Sequence, residues 1–391
     1  MNIKNEEEVR YEADGSTNVV QSIQWNTLED LLSLHGGNVD QVSATNLYAM
    51  YRAPEWLECL DGSLRKELNF ACYQEGKIAS ISAFLPRNVP LKFQISRGKG
   101  LEFNIKTLEL LGGEPIGQVT PEIIDLIVHA AWEQYPGYDA IYIKSLTTDS
   151  AFWGTLQAND WKVGDAFVYM PDGTRPFHYV ALPNTYDEFM KSFKSKQRFT
   201  LRKKLRKINE AFPGKVGIQR IIENDDFEFL KKSLHQVLAK SWTADLLSKG
   251  KLKHLENDDF FKKVISRGMM RSHVLTVDQE PCAFVVGYFY NGIYHYSDLA
   301  YDEAFSKYAP GIVLLLLVIE DLIENDQAKY INFGITDAQY KRVFGNRHVE
   351  DASLLILRPT LLNTIRVGLH RVFIGSKRYL SRVLKYKSGS R

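Results

Sequence analysis

The chain has 391 residues, of which 45% are hydrophobic and 25% are charged, and its formal net charge is +2. These values are typical of a soluble globular protein, and the length predicts two or three domains at ~150 residues each. No apolar segment reaches the roughly 20 residues that a membrane-spanning helix needs, and the N-terminus has no apolar core of a signal peptide. Because the three cysteines are scattered, without disulfide or metal spacing, we expect a cytoplasmic protein.

The first half of the chain alternates predicted strands and helices. Residues 1–40 are polar, and we expect the start of this segment to be partly disordered. Alternating side chains predict strands at Asn69–Tyr73 and Ile78–Leu85, joined by a turn. A helix is predicted from Pro121, because proline suits the first turn of a helix, and Asp139–Lys144 is predicted as the next strand.

The second half repeats this order of elements. Its predicted elements are the strands His273–Asp278 and Ala283–Tyr290, the apolar helix Ile312–Ile319 and the strand Tyr330–Phe333. The repetition concerns element order and not residue identity, and helices alternate with strands in every α/β protein. We interpret it as two similar lobes, residues 41–180 and 181–357, which lie between the polar segment 1–40 and a tail of residues 358–391.

A polar loop, Asp302–Pro310, connects a predicted strand at Tyr294–Asp298 to the apolar helix that begins at Gly311. A helix that starts soon after a strand exposes free N–H groups and a partial positive charge, which suit a pyrophosphate or a carboxylate. Lys307 and Tyr308 lie in the same loop. The loop therefore predicts an anion site, although an ordinary helix start would read the same way.

A basic segment lies between the two predicted lobes. Residues 194–207 contain eight Lys or Arg and no acidic residue, on a predicted helix whose other face is apolar. Three interpretations stay open: a solvated helix face, a nucleic-acid surface, for which stacking aromatics are few, and an anion site. Arg198 and Arg202 are four residues apart and point the same way, so both could bind a phosphate or carboxylate.

Several common catalytic motifs are absent from the sequence. It contains no GxGxxG, no Walker-type GxxxxGK[ST], no HExxH and no GxSxG. The nine histidines show no spacing of metal ligands. We therefore predict that the protein uses no metal.

A series of short pieces between Tyr186 and Gly345 carries a family resemblance. They are Phe193–Arg198, Leu201–Arg206, Trp242, Ala300–Asp302, Tyr308–Gly311, Asn332–Ile335, Tyr340–Lys341 and Phe344. In order and spacing they resemble the BioF2-like acetyltransferase domain, which is also found in proteins named for a CelD-like role in cellulose biosynthesis. This family belongs to the Gcn5-related N-acetyltransferase (GNAT) superfamily and is similar to the FemAB peptidoglycan transferases. The first lobe, with Leu110–Pro115, looks like the half that usually precedes the domain.

The resemblance implies an α/β (α+β) fold of tandem GNAT-like lobes, each a mixed, mostly antiparallel sheet flanked by helices. It also implies transfer of an acyl group, above all acetyl, from acyl-CoA to an amine or hydroxyl of a small-molecule, envelope or polysaccharide-precursor acceptor. The superfamily binds the acyl-CoA pyrophosphate on a Q/R-x-x-G-x-G/A loop, of which only Gly311 is kept here. Two alternatives therefore stay open: a FemAB-like transferase that uses aminoacyl-tRNA, and a non-catalytic binding protein with a degenerate GNAT fold.

Resemblance and chemistry together assign roles to individual residues. Acyl transfer needs a deprotonated nucleophile and a positive or donor group near the carbonyl oxygen. We predict that Lys341 stabilises charge or binds an acceptor phosphate. Tyr340 is predicted to protonate the leaving group and Asp298 to act as general base; a packed tyrosine and a strand-end carboxylate are the alternatives for these two. The remaining assignments are Lys307, Tyr308 and Gly311 to cofactor binding, and Arg198, Arg202 and Trp242 to substrate binding. Lys341, Tyr340, Arg198 and the loop before Gly311 are expected to line one pocket.

The C-terminal tail is strongly basic. Residues 354–391 contain nine Lys or Arg and no acidic residue, so the rest of the chain carries 40 basic against 47 acidic residues. Apolar residues recur at helical spacing from Leu361 to Leu384, with basic residues between them and an interruption near Gly375–Ser376. One interpretation is a helix packed on the C-terminal lobe. The other is peripheral attachment to the anionic cytoplasmic face of the membrane.

Overall fold

The structure of the protein, a computed structural model, describes residues 8–13, 16–23, 47–60, 69–74, 77–94, 100–242, 253–335 and 338–388. The strands are β1 (Glu8–Ala13), β2 (Ser16–Ile23), β3 (Asn69–Gln74), β4 (Lys77–Phe93), β5 (Leu101–Leu110), β6 (Ile116–Gly117), β7 (Ala140–Thr147), β8 (Lys162–Val163), β9 (Ala166–Tyr169), β10 (Thr174–Ala181), β11 (Val216–Ile221), β12 (Ser272–Val277), β13 (Glu280–Tyr290), β14 (Ile293–Tyr301), β15 (Tyr330–Asn332) and β16 (Arg347–Leu357). The α-helices are α1 (Pro54–Cys59), α2 (Pro121–Gln134), α3 (Ala151–Ala158), α4 (Tyr186–Ser192), α5 (Ser195–Ala211), α6 (Phe227–Ala239), α7 (Asp258–Ser266), α8 (Pro310–Asp326), α9 (Gln339–Phe344) and α10 (Leu361–Ser388).

The chain divides into two compact units. The first consists of residues 1–54, 62–175 and 349–391, and the second of residues 55–61 and 176–348. The sequence-based boundaries placed residues 181–357 in one lobe, but β16 hydrogen-bonds to β7 and β9 and so completes the first unit. Local sequence patterns do not report such a long-range return of the chain.

The first unit contains a mixed sheet in the strand order β1-β2-β3-β4-β5-β7-β16. Its neighbouring strands are antiparallel except β5 and β7, which pair in parallel. β1 and β2 fall within the segment expected to be polar and partly disordered, and residues 8–13 and 16–23 form paired strands instead. The rest of that expectation, on residues 1–7, 14–15 and 24–40, lies outside the described residues.

Helix α2 packs on this sheet as the sequence predicted. The Thr120 side chain accepts a hydrogen bond from the Ile123 amide, and Pro121 occupies the first turn. The buried face of the helix carries Ile123, Ile124 and Ile127, which join the core of the first unit. The spacing of these apolar residues, three and four apart, places them on one face of the helix and explains why it docks in this orientation.

The second unit contains a mixed sheet in the strand order β10-β15-β14-β13-β12-β11. Its neighbouring strands are antiparallel except β14 and β15, which pair in parallel. Helix α8 packs on this sheet and buries residues on most sides, since α5 covers it as well. This confirms the apolar run Ile312–Ile319 as a core helix and explains why it carries so few polar side chains.

The two units repeat one pattern of strands and helices. In the first, the antiparallel pair β4–β5 is followed by α2 and then by β7, which lies parallel to β5. In the second, the antiparallel pair β13–β14 is followed by α8 and then by β15, which lies parallel to β14. A parallel pair needs a crossover connection, and a helix supplies it in each unit. The predicted fold class, tandem lobes with mixed, mostly antiparallel sheets and flanking helices, is confirmed.

Candidate functional site

The second unit opens where β14 and β15 separate. Their parallel pairing ends at His295 and Asn332; β15 stops there, whereas β14 continues to Tyr301. A register shift between β13 and β14 at Val286/Gly287 marks a bulge at this point, and bulges bend a strand away from its neighbour. Beyond His295, β14 is thus no longer paired with β15, and its backbone N–H and C=O groups on that side can pair with a ligand.

Three aromatic rings line the place where the strands diverge. The ring centroids lie 5.4 Å apart for Tyr296 and Phe333, 5.8 Å for Tyr296 and Tyr340, and 5.8 Å for Phe333 and Tyr340. Burial raises the pKa of both tyrosines, and a hydrogen bond between the two hydroxyls raises the pKa of Tyr296 further while it lowers that of Tyr340. Both tyrosines therefore keep their protons near neutral pH, and Tyr340 is the better proton donor of the two.

Lys341 lies next to this cluster, in the last turn of α9. Its side chain is only 3% exposed, and its ammonium group donates a hydrogen bond to the Phe333 carbonyl oxygen. A buried cation is unfavourable unless hydrogen bonds or charges compensate it. Lys341 thus places a positive charge at the residue that follows β15, Phe333, and next to Tyr340 in the chain.

The start of α8 forms a second feature of the site. Ala309 adopts a left-handed conformation, with φ 53° and ψ 53°, and Pro310 follows it in the first turn. The Ile312 and Val313 amides donate to the Ala309 carbonyl oxygen, which leaves the Gly311 amide as the candidate donor of this turn to an anion. A Cβ atom on Gly311 would lie 3.2 Å from Leu299 Cδ2, so glycine lets the helix start approach β14 closely.

Basic side chains surround this helix start. Lys207, near the end of α5, donates a hydrogen bond of 2.7 Å to the Lys307 carbonyl oxygen. The ammonium groups of Lys307 and Lys207 lie 5.0 Å and 5.7 Å from the centroid of the Tyr308 ring, which holds both near the loop. With the helix dipole, the two ammonium groups make the loop Asp302–Pro310 attractive to a phosphate or pyrophosphate.

The arginines predicted to bind substrate lie elsewhere on α5. Arg198 donates to the Lys191 carbonyl oxygen at 3.4 Å, and Arg202 is exposed. Both lower the pKa of the exposed Asp187 carboxyl, after the larger effect of its hydrogen bond with Lys191. At 1.5 Å per residue, Arg198 is about 13 Å along the helix from Lys207. The structure therefore brings Lys207, and not Arg198 or Arg202, to the loop.

Asp298 lies on the extended part of β14 and has a partner that the sequence did not suggest. His254 Nε2 is 3.1 Å from Asp298 Oδ2, and the Ser297 hydroxyl donates to the same oxygen at 2.6 Å. Burial alone would raise the pKa of Asp298, but these hydrogen bonds outweigh it and the net shift is downward. The hydrogen bond to Asp298 raises the pKa of His254. No local signal pointed to His254, since it lies 44 residues from Asp298, between Lys253 and Leu255, in no recognised motif.

Trp242 follows the end of α6 and lies near the start of the loop Asp302–Pro310. It is 61% exposed, and two residues before it the Lys240 carbonyl oxygen accepts a hydrogen bond from the Glu303 amide. The Lys240 ammonium is also 3.6 Å from Asp302 Oδ2, and Asp302 Oδ1 accepts a hydrogen bond from the Ala304 amide, which caps the 3-10 helix Glu303–Tyr308. Trp242 thus presents an exposed aromatic surface close to the start of the loop.

Comparison with known proteins relates part of this chain to a family. Residues 195–342, which lie in the second unit, match the family model described as an acetyltransferase (GNAT) domain. No curated protein matches the chain.

Solved structures share the fold at low identity. The crystal structure of FemX aligns with a TM-score of 0.53 and 10% identity, over 76% of this chain and 90% of that chain. A conserved protein of unknown function from Bacteroides thetaiotaomicron aligns with a TM-score of 0.53 and 9% identity, over 86% of this chain and 99% of that chain. Identities this low support the fold and leave the narrower BioF2-like and CelD-like assignment as a prediction.

Proposed function

Since residues 195–342 match a GNAT-type acetyltransferase domain, we propose that the protein is an acyltransferase that moves an acyl group, above all acetyl, from acyl-CoA to an amine or hydroxyl. One observation carries this proposal. The start of α8 lies close to the last residues of β14, and Lys207 and Lys307 lie beside it. β14 is also the strand whose pairing with β15 ends at His295. An anion site and an open strand edge are thus combined in one unit.

The two parts of the site suit the two ends of an acyl-CoA. The pyrophosphate would accept hydrogen bonds from the Gly311 amide and from the ammonium groups of Lys207 and Lys307. The amide-bearing arm would run along the edge of β14 beyond His295, whose N–H and C=O groups can pair with an extended chain as a neighbouring strand would. Gly311 fits this arrangement, because its missing Cβ keeps the helix start close to β14.

The chemistry at the acyl carbon follows from the groups near the strand divergence. The acceptor nitrogen or oxygen forms a bond to the thioester carbonyl carbon, and the C–S bond then breaks. Tyr340 would supply a proton to the leaving sulfur, and the buried ammonium of Lys341 would stabilise the negative charge that develops on the carbonyl oxygen. These roles agree with those predicted from the sequence.

For the general base we propose His254 in place of Asp298. A carboxylate whose pKa lies below its ordinary value is a weak base, so Asp298 suits an orienting role better than direct proton abstraction. His254, whose pKa is raised, would take the acceptor proton on the nitrogen that Asp298 does not hold. Asp298 would fix its tautomer and stabilise the imidazolium.

We propose a small-molecule, envelope or polysaccharide-precursor acceptor, as the BioF2-like and CelD-like resemblance implies. Trp242 offers an exposed ring on which a sugar or other flat apolar face could stack. Arg198 and Arg202 remain candidates for an anionic group of the acceptor, on the part of α5 that faces α4. They are assigned no role toward the acyl donor.

A FemAB-like transferase that uses aminoacyl-tRNA is the second candidate. It is favoured by the fold shared with FemX and by the basic surface of α5, where eight Lys or Arg fall within residues 194–207. An RNA backbone would engage many of these charges together, whereas acyl-CoA needs only those beside the loop.

Binding of acetyl-CoA tests the proposal. Calorimetric titration of the full chain is compared with the double variant Lys207→Gln/Lys307→Gln, for which we expect an affinity at least about tenfold lower, since each hydrogen bond to a phosphate is worth ~1.5–3 kcal/mol. The matched control is Lys196→Gln, which removes an exposed charge from the far end of the same helix.

Three outcomes separate the candidates. Acetyl-CoA binding that the double variant loses and the control keeps supports the acyl-CoA enzyme. Stabilisation by charged tRNA, with equal losses in all lysine variants and no effect of acetyl-CoA, supports the FemAB-like alternative. No response to either molecule leaves the non-catalytic binding protein.

A further inference from the structure

The long C-terminal helix α10 has two faces of different character. One face is buried against the first unit through Asn363, Val367 and His370. The Asn363 side-chain amide donates to the Asp139 carbonyl oxygen at 3.3 Å, and Arg366 pairs with the Asp139 carboxylate at 3.2 Å. These contacts pack this part of the tail on the first unit, whereas one sequence-based interpretation placed the tail on the C-terminal lobe.

Further contacts hold the middle of α10 in place. His370 lies 2.6 Å from the Tyr169 hydroxyl through Nδ1 and 3.2 Å from the Lys92 carbonyl oxygen through Nε2. The Phe373 ring packs 5.2 Å from the ring of Phe93 at the end of β4. The helix also continues through Gly375–Ser376, where the sequence suggested an interruption. The orientation of α10 on the first unit is thus determined by several polar and aromatic contacts.

The opposite face of α10 is apolar and exposed. Its members, each between 49% and 78% exposed, are Leu361, Leu362, Ile365, Leu369, Val372 and Tyr379. After the adjacent Leu361 and Leu362 they recur three, four or seven residues apart and so share one side of the helix, which is here called the apolar stripe. Single exposed apolar residues are common, but a contiguous line of them marks an interaction surface.

Exposed apolar side chains also lie on the sheet of the first unit, on the face that α10 packs against. Leu101 and Phe103 of β5 are also exposed, and they pair with Phe93 and Leu91 of β4, which places all four side chains on one face. Phe93 contacts both Phe103, at 5.4 Å, and Phe373 of α10, at 5.2 Å. The exposed aromatic and aliphatic side chains of β5 therefore lie on the face of the sheet that α10 covers.

The charge around the stripe selects its partner. The segment 354–391 has nine Lys or Arg and no acid, whereas the rest of the chain has an excess of acidic residues. Within α10, the Arg371 guanidinium lies 5.3 Å from the Tyr169 ring of the first unit, and Lys377 follows in the same helix. A second copy of this helix would bring like charges together, whereas an anionic lipid surface neutralises them. Apolar side chains flanked by cations are the pattern of a helix that lies in a membrane interface.

We infer that the apolar stripe of α10, together with Leu101 and Phe103, docks the protein on the surface of an anionic lipid bilayer. The apolar side chains enter the boundary between headgroups and acyl chains, and the basic side chains beside them contact the headgroups. This docking is peripheral: among the described residues, no helix has the length and apolar content to cross a bilayer. The inference does not depend on the acyl-transfer activity.

Cosedimentation with vesicles tests this inference on the full-length protein. Vesicles of mixed phosphatidylglycerol and phosphatidylcholine are compared with vesicles of phosphatidylcholine alone. We expect at least about tenfold stronger binding to the anionic vesicles, with a loss of binding as NaCl rises from about 0.05 M to about 0.5 M. Point variants are used instead of truncation, because removal of α10 would expose the surface that Val367 and His370 cover.

Variants separate the apolar and the electrostatic contributions. Leu369→Gln/Val372→Gln should weaken binding to anionic vesicles by about tenfold or more, since two exposed apolar side chains lose their insertion. Lys377→Gln should weaken it by about fivefold, and only on anionic vesicles. The control Phe199→Gln removes a side chain that is 63% exposed from the basic helix α5 and should bind like the unaltered protein.

Several results would overturn the inference. They are equal binding to both kinds of vesicle, no binding of the full chain at low salt, and undiminished binding of Leu369→Gln/Val372→Gln. A dimer in sedimentation velocity that this double variant dissociates, without vesicle binding, would assign the stripe to a second copy of the chain. The melting temperature of each variant shows that a loss of binding is not a loss of folding.

Discussion

At the residue scale, the groups near the diverging strand ends differ in how they hold a proton. Tyr340 keeps its proton because burial raises its pKa, although the hydrogen bond with Tyr296 offsets part of that effect. Asp298 is ionised, because hydrogen bonds from His254 and Ser297 outweigh burial. Environments that push the pKa values of neighbouring groups apart are the usual means by which one site holds both an acid and a base.

The pair of Asp298 and His254 predicts a specific pH dependence. His254 is protonated below its raised pKa and can act as a base only above it, so the rate of transfer should rise with pH through a value above ~6.5. In Asp298→Asn the anionic partner is gone, the pKa of His254 falls, and this rise should move to lower pH while the plateau drops about tenfold or more. The measurement is kcat/KM against pH.

His254→Gln is the control for this prediction. It should remove the rise and lower the plateau, because the titrating base itself is absent. An unchanged pH profile in both variants would mean that neither residue takes the acceptor proton, and that the pair serves only to connect His254 to β14.

Lys341 predicts a loss of turnover without a loss of donor binding. Lys341→Ala should lower transfer by at least about 10²-fold, the scale expected when a charge-stabilising donor is removed. Since the side chain is buried, Lys341→Met is the matched variant that keeps most of the packing volume and removes the charge and its hydrogen bond to Phe333. Turnover numbers are compared with acetyl-CoA affinity, and normal turnover in the methionine variant would limit Lys341 to a structural role.

At the element scale, each unit depends on the loop that leads from a strand to its crossover helix. In the second unit this loop ends at Ala309 with a left-handed backbone, so that α8 starts close to β14. In the first unit the corresponding loop turns through Gly112 and Gly113, both with positive φ, at +74° and +79°. Both loops thus use backbone with positive φ before the crossover helix, at Ala309 in the second unit and at Gly112 and Gly113 in the first.

The glycine pair of the first unit predicts a difference in stability. A Cβ atom at Gly113 would lie 2.3 Å from the Ser145 carbonyl oxygen of β7, whereas at Gly112 the nearest atom, at 2.7 Å, belongs to the flexible Arg52 side chain. Gly113→Ala should therefore lower the free energy of unfolding by about 3 kcal/mol or more, and Gly112→Ala by about 1–2 kcal/mol. Urea unfolding of the two variants measures this, and equal losses would show that backbone conformation alone decides the cost.

At the scale of the whole molecule, the two repeated units differ in how they use their cations. In the first unit Arg52 donates hydrogen bonds to the Glu114 and Pro115 carbonyl oxygens, so this cation is engaged in holding the loop together. In the second, Lys207 and Lys307 place ammonium groups beside the start of α8. This difference is why the acyl donor is assigned to the second unit, although both units share the same order of elements.

Charge is also distributed unevenly along the chain. The formal net charge of +2 is the sum of a basic C-terminal segment and a remainder in which acidic residues are in excess. The basic segment contributes α10, which is packed on the first unit by one face and exposed by the other. The proposed chemistry and the inferred lipid contact therefore belong to different units and can be tested independently.

Local sequence patterns identified some of the elements and their order. Periodicity and turn residues identified α2, α8 and most of the strands that flank them, because the spacing of apolar residues depends only on the local backbone geometry. The same patterns indicated two similar lobes and located Tyr340 and Lys341 just after the strand β15. They also separated the basic tail from the rest of the chain.

The tertiary structure alone decided which distant residues meet. It placed Lys207 at the loop in place of Arg198 and Arg202, joined His254 to Asp298, and returned β16 and α10 to the first unit. It also showed which face of α10 is buried, since the alternation of apolar and basic residues in the tail is compatible with either side packing inward. Such contacts depend on strand register and helix docking between residues far apart in the chain, and no local spacing encodes them.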